Sequence, residues 1–282
     1  MDVHPAAAFA DLLRARYGGA EPEGLAASSA PEANAVLRAL LAHRSVRAYL
    51  PTPLAAGTVE TLVAAAQSAA TSSNLQTWSV VAVEDAGRRD RLSRLAADQA
   101  FIRQAPLFLA WVADLSRLDR VAAQAGQAAE GLVYLESFMV ALIDAALAAQ
   151  NAAVAAESLG LGTVYVGALR NHPEKVAAEL GLPPNAVAAF GLSVGHPDPS
   201  VTSAIKPRLP QALVLHRERY AAVDESARVA RYDTALADFS EANGLGRANW
   251  TGRVMARVGN ARGLSGRDRM HAVLRALGFG LR

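Results

Sequence analysis

Hydrophobic positions along this chain alternate between helical spacing and short unbroken runs, and that succession predicts its elements. Pro5 to Tyr17 reads as a short helix, followed up to about residue 30 by a Gly, Pro, Ala and Ser-rich connector expected to be partly disordered. Pro31 to Ala42 reads as a second helix, and Pro51 and Pro53 then mark an extended turn. Thr58 is expected to cap a helix running to about Ala70, with Val59, Leu62, Val63 and Ala66 on one face. Ser79 to Glu84, Leu107 to Val112, Thr163 to Leu169, Val187 to Val194 and Ala212 to His216 are apolar runs of strand length. Arg88 to Ala97 reads as helix and Gln99 to Gln104 as a connector. From about Gly126 to Leu159 an alanine-rich stretch, apolar on nearly every face, predicts one long core helix. Glu136, Asp144, Gln150, Asn151 and Glu157 interrupt it too often for a membrane span. Pro173 to Leu180 is a short helix closed by Gly181, and Asp224 to Ala242 an amphipathic one broken by Asn243-Gly244-Leu245-Gly246. Strands separated by long helices predict an α+β or α/β architecture with a sheet covered on both sides.

Composition narrows the chemistry. The 282 residues are 52% hydrophobic, enough for a sizeable core, and a net charge of +2 with both signs interspersed leaves no broad nucleic-acid footprint. There is no cysteine, which excludes disulfides, thiolate nucleophiles and cysteine-held metals, so redox chemistry has to come from a bound cofactor. The histidines at 4, 43, 172, 196, 216 and 271 show no metal-ligand spacing, and no metal is expected. Asp114 and Asp119, close to Arg117 and Arg120, read as a solvated, charge-balanced surface. The start of the chain lacks a positive n-region and a long apolar stretch, so a cytoplasmic protein without membrane attachment is expected.

Basic residues are concentrated locally. His43-Arg44-Ser45-Val46-Arg47 places two guanidiniums, a hydroxyl and an imidazole within five residues, a set suited to a phosphate. Far downstream, Lys206-Pro207-Arg208-Leu209-Pro210 holds another ammonium and guanidinium in a proline-stiffened segment, so the two clusters could converge on one anion. A polar turn, Thr71-Ser72-Ser73-Asn74-Leu75-Gln76, sits just before the first strand. Gly160-Leu161-Gly162 does not make a dinucleotide fingerprint, because helix precedes the glycines and strand follows them. Gly191-Leu192-Ser193-Val194-Gly195 matches a hydrolase elbow, with Asp198, His216 and His271 as paper partners, but Gly195-His196-Pro197-Asp198-Pro199 cannot start the helix that an elbow needs.

The pentad, the polar turn, the phrase from Ala156 to Gly167 and the Lys206 to Pro210 segment, in that order, resemble the FMN-dependent nitroreductase superfamily over about residues 36–220. Within it they are most similar to the oxygen-insensitive NADPH nitroreductase and flavin reductase group. Tyr232-Asp233, Leu236 to Phe239 and Trp250 look like that group's C-terminal helical extension, whereas residues 1–35 have no evident counterpart. The resemblance implies an α+β fold with a mainly antiparallel central sheet flanked by helices, in an intertwined homodimer with FMN at the subunit interface. It divides the chain into an extension (1–35), an FMN-binding core (36–220) and a C-terminal helical segment (221–282).

By position, it implies that His43, Arg44, Ser45 and Arg47, with Lys206 and Arg208, grip the flavin's phosphate, ribityl chain and pyrimidine edge. Gln99 would bond to the ring edge, and Tyr165, Val166, Gly167 and Ala168 would lie near the ring. Thr71, Ser72, Ser73 and Asn74 would reach it from the partner subunit. No protein group is expected to be catalytic, since the flavin carries hydride from NADPH or NADH to nitroaromatics, quinones or free flavins in a ping-pong cycle. The family's arginine for the NADPH 2′-phosphate falls near Asn243 here, leaving Arg247, Arg253 and Arg267 as candidates. A non-catalytic FMN-binding protein is the alternative this substitution suggests.

Overall fold

The computed structural model describes residues 9–19, 34–221 and 224–282. Most of the Gly and Pro-rich connector and the first residues of the expected N-terminal helix lie outside them. In chain order the helices are α1 (Phe9–Arg16), α2 (Ala35–Ala42), α3 (Thr58–Gln67), α4 (Ala86–Leu95), α5 (Ala100–Gln104), α6 (Ser116–Gln124), α7 (Leu135–Ser158), α8 (Pro173–Leu180), α9 (Ser226–Ala242), α10 (Trp250–Val258) and α11 (Met270–Ala276). The strands are β1 (Trp78–Val83), β2 (Leu107–Asp114), β3 (Gly162–Val166) and β4 (Ala186–Gly195). The chain divides into two compact units, one of residues 1–44 and 200–264, the other of residues 45–199 and 265–282.

The larger unit holds the sheet, ordered β1-β2-β4-β3 with every neighbouring pair antiparallel. β2 and β4 are central, and side-chain alternation buries both of their faces. Leu107, Leu109, Trp111, Leu192 and Val194 meet Leu62 of α3 and the alanine face of α7, Ala148, Ala149, Ala152, Ala153 and Ala156. The opposite face, Phe108, Ala110 and Ala188, packs with Leu92, Ile102, Leu169 and Val176. Small residues on α7 let the helix approach the sheet closely. That packing explains why α7, the one described helix with the length and composition of a membrane span, is a core helix here. The β2–β4 register slips at Ala189, whose carbonyl accepts from Arg170.

Several expected elements differ. α7 begins at Leu135, not Gly126, because Gly126 takes a left-handed φ of 67° and a single 3₁₀ turn fills 130–133. Gln99 to Gln104 is no connector: Gln99 precedes α5. Thr58 is the first residue of α3 rather than its cap, its hydroxyl donating to Ala55 O at 2.6 Å. Asp114 is not solvated; it is 6% exposed at the end of β2 and accepts from the Ser116 amide at 3.0 Å and the Ser79 hydroxyl at 2.6 Å. Burial alone would raise its pKa, but these hydrogen bonds and Arg117 outweigh that and hold it below the usual carboxylate range. Ala212 to His216 forms no strand: 211–213 is a 3₁₀ turn, and Val214 and Leu215 are exposed.

The smaller unit is helical, with α1, α2, α9 and α10. Leu12, Leu13, Tyr232, Leu236 and Ala237 are its buried apolar residues among those described.

Candidate functional site

The pentad begins where α2 stops. His43 leaves helical geometry at φ −50° and ψ 130°, and the chain continues extended. In the larger unit Ser45 forms a parallel bridge to Thr163, and the Val46 amide donates to Thr163 O at 2.9 Å. The segment thus lies beside edge strand β3, with its side chains alternating. Val46 is 5% exposed, whereas Ser45 is half-buried and Arg47 exposed. Two further contacts fix it. The buried Tyr49 hydroxyl bonds to Val46 O at 2.8 Å, and Gly162 gives Val46 its space, since a Cβ there would stand 2.8 Å from Val46 Cβ and both its methyls. The GLG pair is therefore a turn (Gly160, φ 78°) followed by a close backbone approach. Thr163 is fully buried, and its hydroxyl donates to Glu157 Oε1 at 2.7 Å, locking β3 to the end of α7.

The polar turn is anchored by a residue that sequence reasoning treated only as an interruption of an apolar helix. Asp144, 1% exposed on α7, accepts from the Thr71 hydroxyl at 2.6 Å, the Ser72 amide at 3.2 Å, and the Thr77 amide and hydroxyl at 3.0 and 2.9 Å. Desolvation pushes its pKa up; the four hydrogen bonds pull harder, so the carboxylate sits below its ordinary range. Thr71 Oγ1 in turn accepts from the Gln76 amide at 3.0 Å. This network holds Ser73, Asn74 and Gln76 at φ 49°, 55° and 51°, left-handed conformations that non-glycine residues seldom adopt, and leaves residues 72–76 exposed. A lone carboxylate in an alanine-rich helix was the available signal.

Gln99 is half-buried, and its carbonyl accepts from Ser93 Oγ at 2.9 Å. Tyr165 is 37% exposed beside Phe190, its hydroxyl 3.3 Å from Gln150 Oε1, and burial of its ring region pushes its pKa up. Val166 ends β3 buried, and Gly167 and Ala168 start a 3₁₀ turn. A Cβ on Gly167 would come to 3.3 Å from Arg170 Nη2.

In the smaller unit Arg16 links the His43–Arg44 end of the pentad to the Lys206–Arg208 segment. Arg16 at the end of α1, 8% exposed, donates to Leu41 O at 2.9 Å, His43 O at 2.7 Å and Lys206 O at 2.9 Å. Its own carbonyl accepts from the Arg208 amide at 2.8 Å. Arg44 Nε donates to Ser203 Oγ at 3.1 Å, and on the other side of the 206–210 segment the Tyr232 hydroxyl donates to Pro207 O at 3.0 Å. With these backbone groups occupied, Arg44 and Arg208 remain exposed and Lys206 half-exposed. Nothing in the sequence pattern singled out Arg16.

The three nucleotide candidates part company. Arg247 is held by Asp238 at 3.1 Å and Glu241 at 2.6 Å. Arg253 bonds to Ser240 Oγ at 3.0 Å and, with Arg247, Asn249 and Gly252, lines a cleft of about 510 Å³. Arg267 lies in the larger unit and bonds to Asn171 Oδ1 at 2.9 Å. Ser193 is buried within β4, where a Cβ at Gly191 would meet the Phe108 ring at 2.1 Å, so no hydrolase elbow exists.

Comparison with known proteins agrees with this arrangement of segments. The Nitroreductase family description matches residues 40–196, and that of the Nitroreductase family C-terminal domain matches residues 206–282. This chain belongs to the nitroreductase family. It is 38% identical over 227 residues to the FMN reductase (NADPH) of Bacillus subtilis, covering 79% of this chain and 90% of that one. It is 38% identical over 202 residues to the oxygen-insensitive NADPH nitroreductase of Salmonella typhimurium, covering 71% of this chain and 80% of the relative. The solved structure of NfrA2 from B. megaterium superposes with a TM-score of 0.82 at 36% identity, covering 89% of this chain and all of that one. As in these nitroreductases, the fold is α+β with an antiparallel sheet flanked by helices.

Proposed function

We propose that this nitroreductase is an FMN-dependent NAD(P)H oxidoreductase whose flavin phosphate is met by His43, Arg44, Lys206 and Arg208. The observation that carries this reading is the joining of the two basic segments in one unit, with the Arg44 and Arg208 side chains exposed. A phosphate dianion calls for that donor set, so the residues fit the cofactor. Ser45 and Arg47 serve the ribityl chain and pyrimidine edge, and Gln99, Tyr165, Val166, Gly167 and Ala168 the ring. The turn from Thr71 to Asn74, fixed by Asp144, presents the exposed side chains of Ser72, Ser73 and Asn74. FMN, when bound, supplies two-electron transfer from the nicotinamide to nitroaromatic, quinone or flavin acceptors. The chain's part is to hold fixed positive charge near the flavin and to position its ring.

A homodimer belongs to the same reading. Leu135, Met139, Ile143 and Leu147 form an exposed apolar row at four-residue spacing on α7, a surface that favours cover by a second copy. The turn at 71–74 then serves the partner's flavin. A cytoplasmic site of action, and the division into 1–35, 36–220 and 221–282, complete the proposal.

Anaerobic mixing of the FMN-loaded protein with NADPH or NADH tests the activity: loss of the flavin's visible absorbance is expected, and retained but unreduced FMN would make the chain a binding protein. For the 2′-phosphate, Arg253 fits better than Arg247, whose charge two carboxylates already meet. Arg253→Ala is expected to raise KM for NADPH about tenfold, the usual weight of a charge-assisted contact, with KM for NADH little changed. Steady-state kinetics with both nucleotides checks this; an equal effect on both would remove Arg253 from that role.

A further inference from the structure

We propose that Arg16 is a positioning residue for the phosphate subsite, setting the spacing between the His43–Arg44 segment and the Lys206–Arg208 segment. The inference rests on the FMN reading above but concerns a residue outside both family matches, which span residues 40–196 and 206–282. The last carbonyls of a helix have no intrahelical partner, and a cation at that end also suits the helix dipole. Arg16 fills this role for α2, donating through Nη2 to Leu41 O and His43 O just where the chain turns extended. Through Nη1 it donates to Lys206 O, and its backbone carbonyl accepts from the Arg208 amide. One residue thus joins both cationic segments by three hydrogen bonds, with a fourth to Leu41 O at the end of α2, and its planar guanidinium fixes the angles between them.

The neighbours of Arg16 reinforce the grip. Gln211 Nε2 donates to the Tyr17 hydroxyl at 3.1 Å. At Gly18, a Cβ would stand 2.8 Å from Ala235 Cβ and 3.4 Å from Pro207 Cβ, so the α1 terminus sits against the Lys206 to Pro210 segment with no room to spare. Being 8% exposed, Arg16 acts on the anion through the residues it places. Its removal therefore weakens recognition of the phosphate and spares recognition of the isoalloxazine ring.

Full-length wild type, Arg16→Ala and Arg16→Lys are titrated with FMN and with riboflavin, which lacks the phosphate, following quenching of flavin fluorescence; melting temperatures are recorded alongside. Wild type is expected to prefer FMN strongly. In Arg16→Lys, which keeps the charge but has no planar fork, the FMN-to-riboflavin affinity ratio is expected to fall about tenfold, and in Arg16→Ala further, with riboflavin affinity within about twofold of wild type. An unchanged ratio in a folded Arg16→Lys protein overturns the inference, as does an equal loss for both flavins. Absence of any FMN preference in wild type overturns the phosphate reading itself, so the two failures are distinguishable.

Discussion

Replacing Asp144 by alanine is expected to destabilise the fold by about 3–5 kcal/mol and to abolish tight flavin binding. Four donors, two hydroxyls and two amides of Thr71, Ser72 and Thr77, would lose one buried acceptor. Unsatisfied buried donors cost roughly 1–3 kcal/mol each, and water reaching the partly open side of the turn recovers some of that. Asp144→Asn is expected to cost about half as much, because one oxygen remains while an amide group faces the donors. The pH dependence has a definite sign. The folded pKa is depressed, so this stabilisation is complete above the unfolded carboxylate value, near 4, and fades as pH falls through the folded value. The stability gap between wild type and Asp144→Asn should accordingly be constant from about pH 5 upwards and narrow in acid. Urea unfolding at a series of pH values measures it; a gap that widened below pH 4 would contradict the assignment.

Gly162→Ala is expected to displace the pentad. The glycine's own φ is unremarkable for an L-residue, so the cost is steric: the new methyl stands 2.8 Å from three atoms of Val46. Val46 cannot yield alone, because its amide is bonded to Thr163 O and its carbonyl to the Tyr49 hydroxyl. Overpacking of this kind costs about 1–3 kcal/mol. Ser45 and Arg47 flank the displaced residue, so FMN affinity should fall with stability. Val46→Ala in the same chain removes two of the three clashing atoms but leaves Cβ at 2.8 Å, so it should restore affinity in part, and stability less because it opens its own small cavity. Thermal melting and flavin titration of the single and double variants decide this; additive losses would show that Gly162 and Val46 are not coupled.

The central sheet was legible because β2 and β4 are buried on both faces, which turns each into an unbroken apolar run. Gly181, left-handed at φ 62°, ended α8 where the pattern put it. Apolarity misled where pairing decides: residues 212–216 have strand composition but no strand beside them, and Val214 is 64% exposed. It misled again before α7, where alanine carried a helical pattern past Gly126 and Gly131 that the backbone does not follow. Asp114 looked like surface charge because its serine partners do not register in a charge count. The basic segments could be read from composition, but their connectors could not. Asp144 acts on residues 67 to 73 positions away and Arg16 on one 190 positions away, distances over which periodicity carries no information.

The order in which the chain is made bears on when the smaller unit can form. That unit is discontinuous, drawing on residues 1–44 and 200–264. The partners Arg16 and Lys206 are 190 residues apart, so at about 5–20 residues per second a ribosome leaves Arg16 waiting roughly 10–40 s for its acceptor. By the end of that interval the central strands, all between residues 78 and 195, have been made. The Arg16 link therefore forms only after the strands have been made, and a chain truncated before residue 206 would possess those strands but not the segment that Arg16 holds.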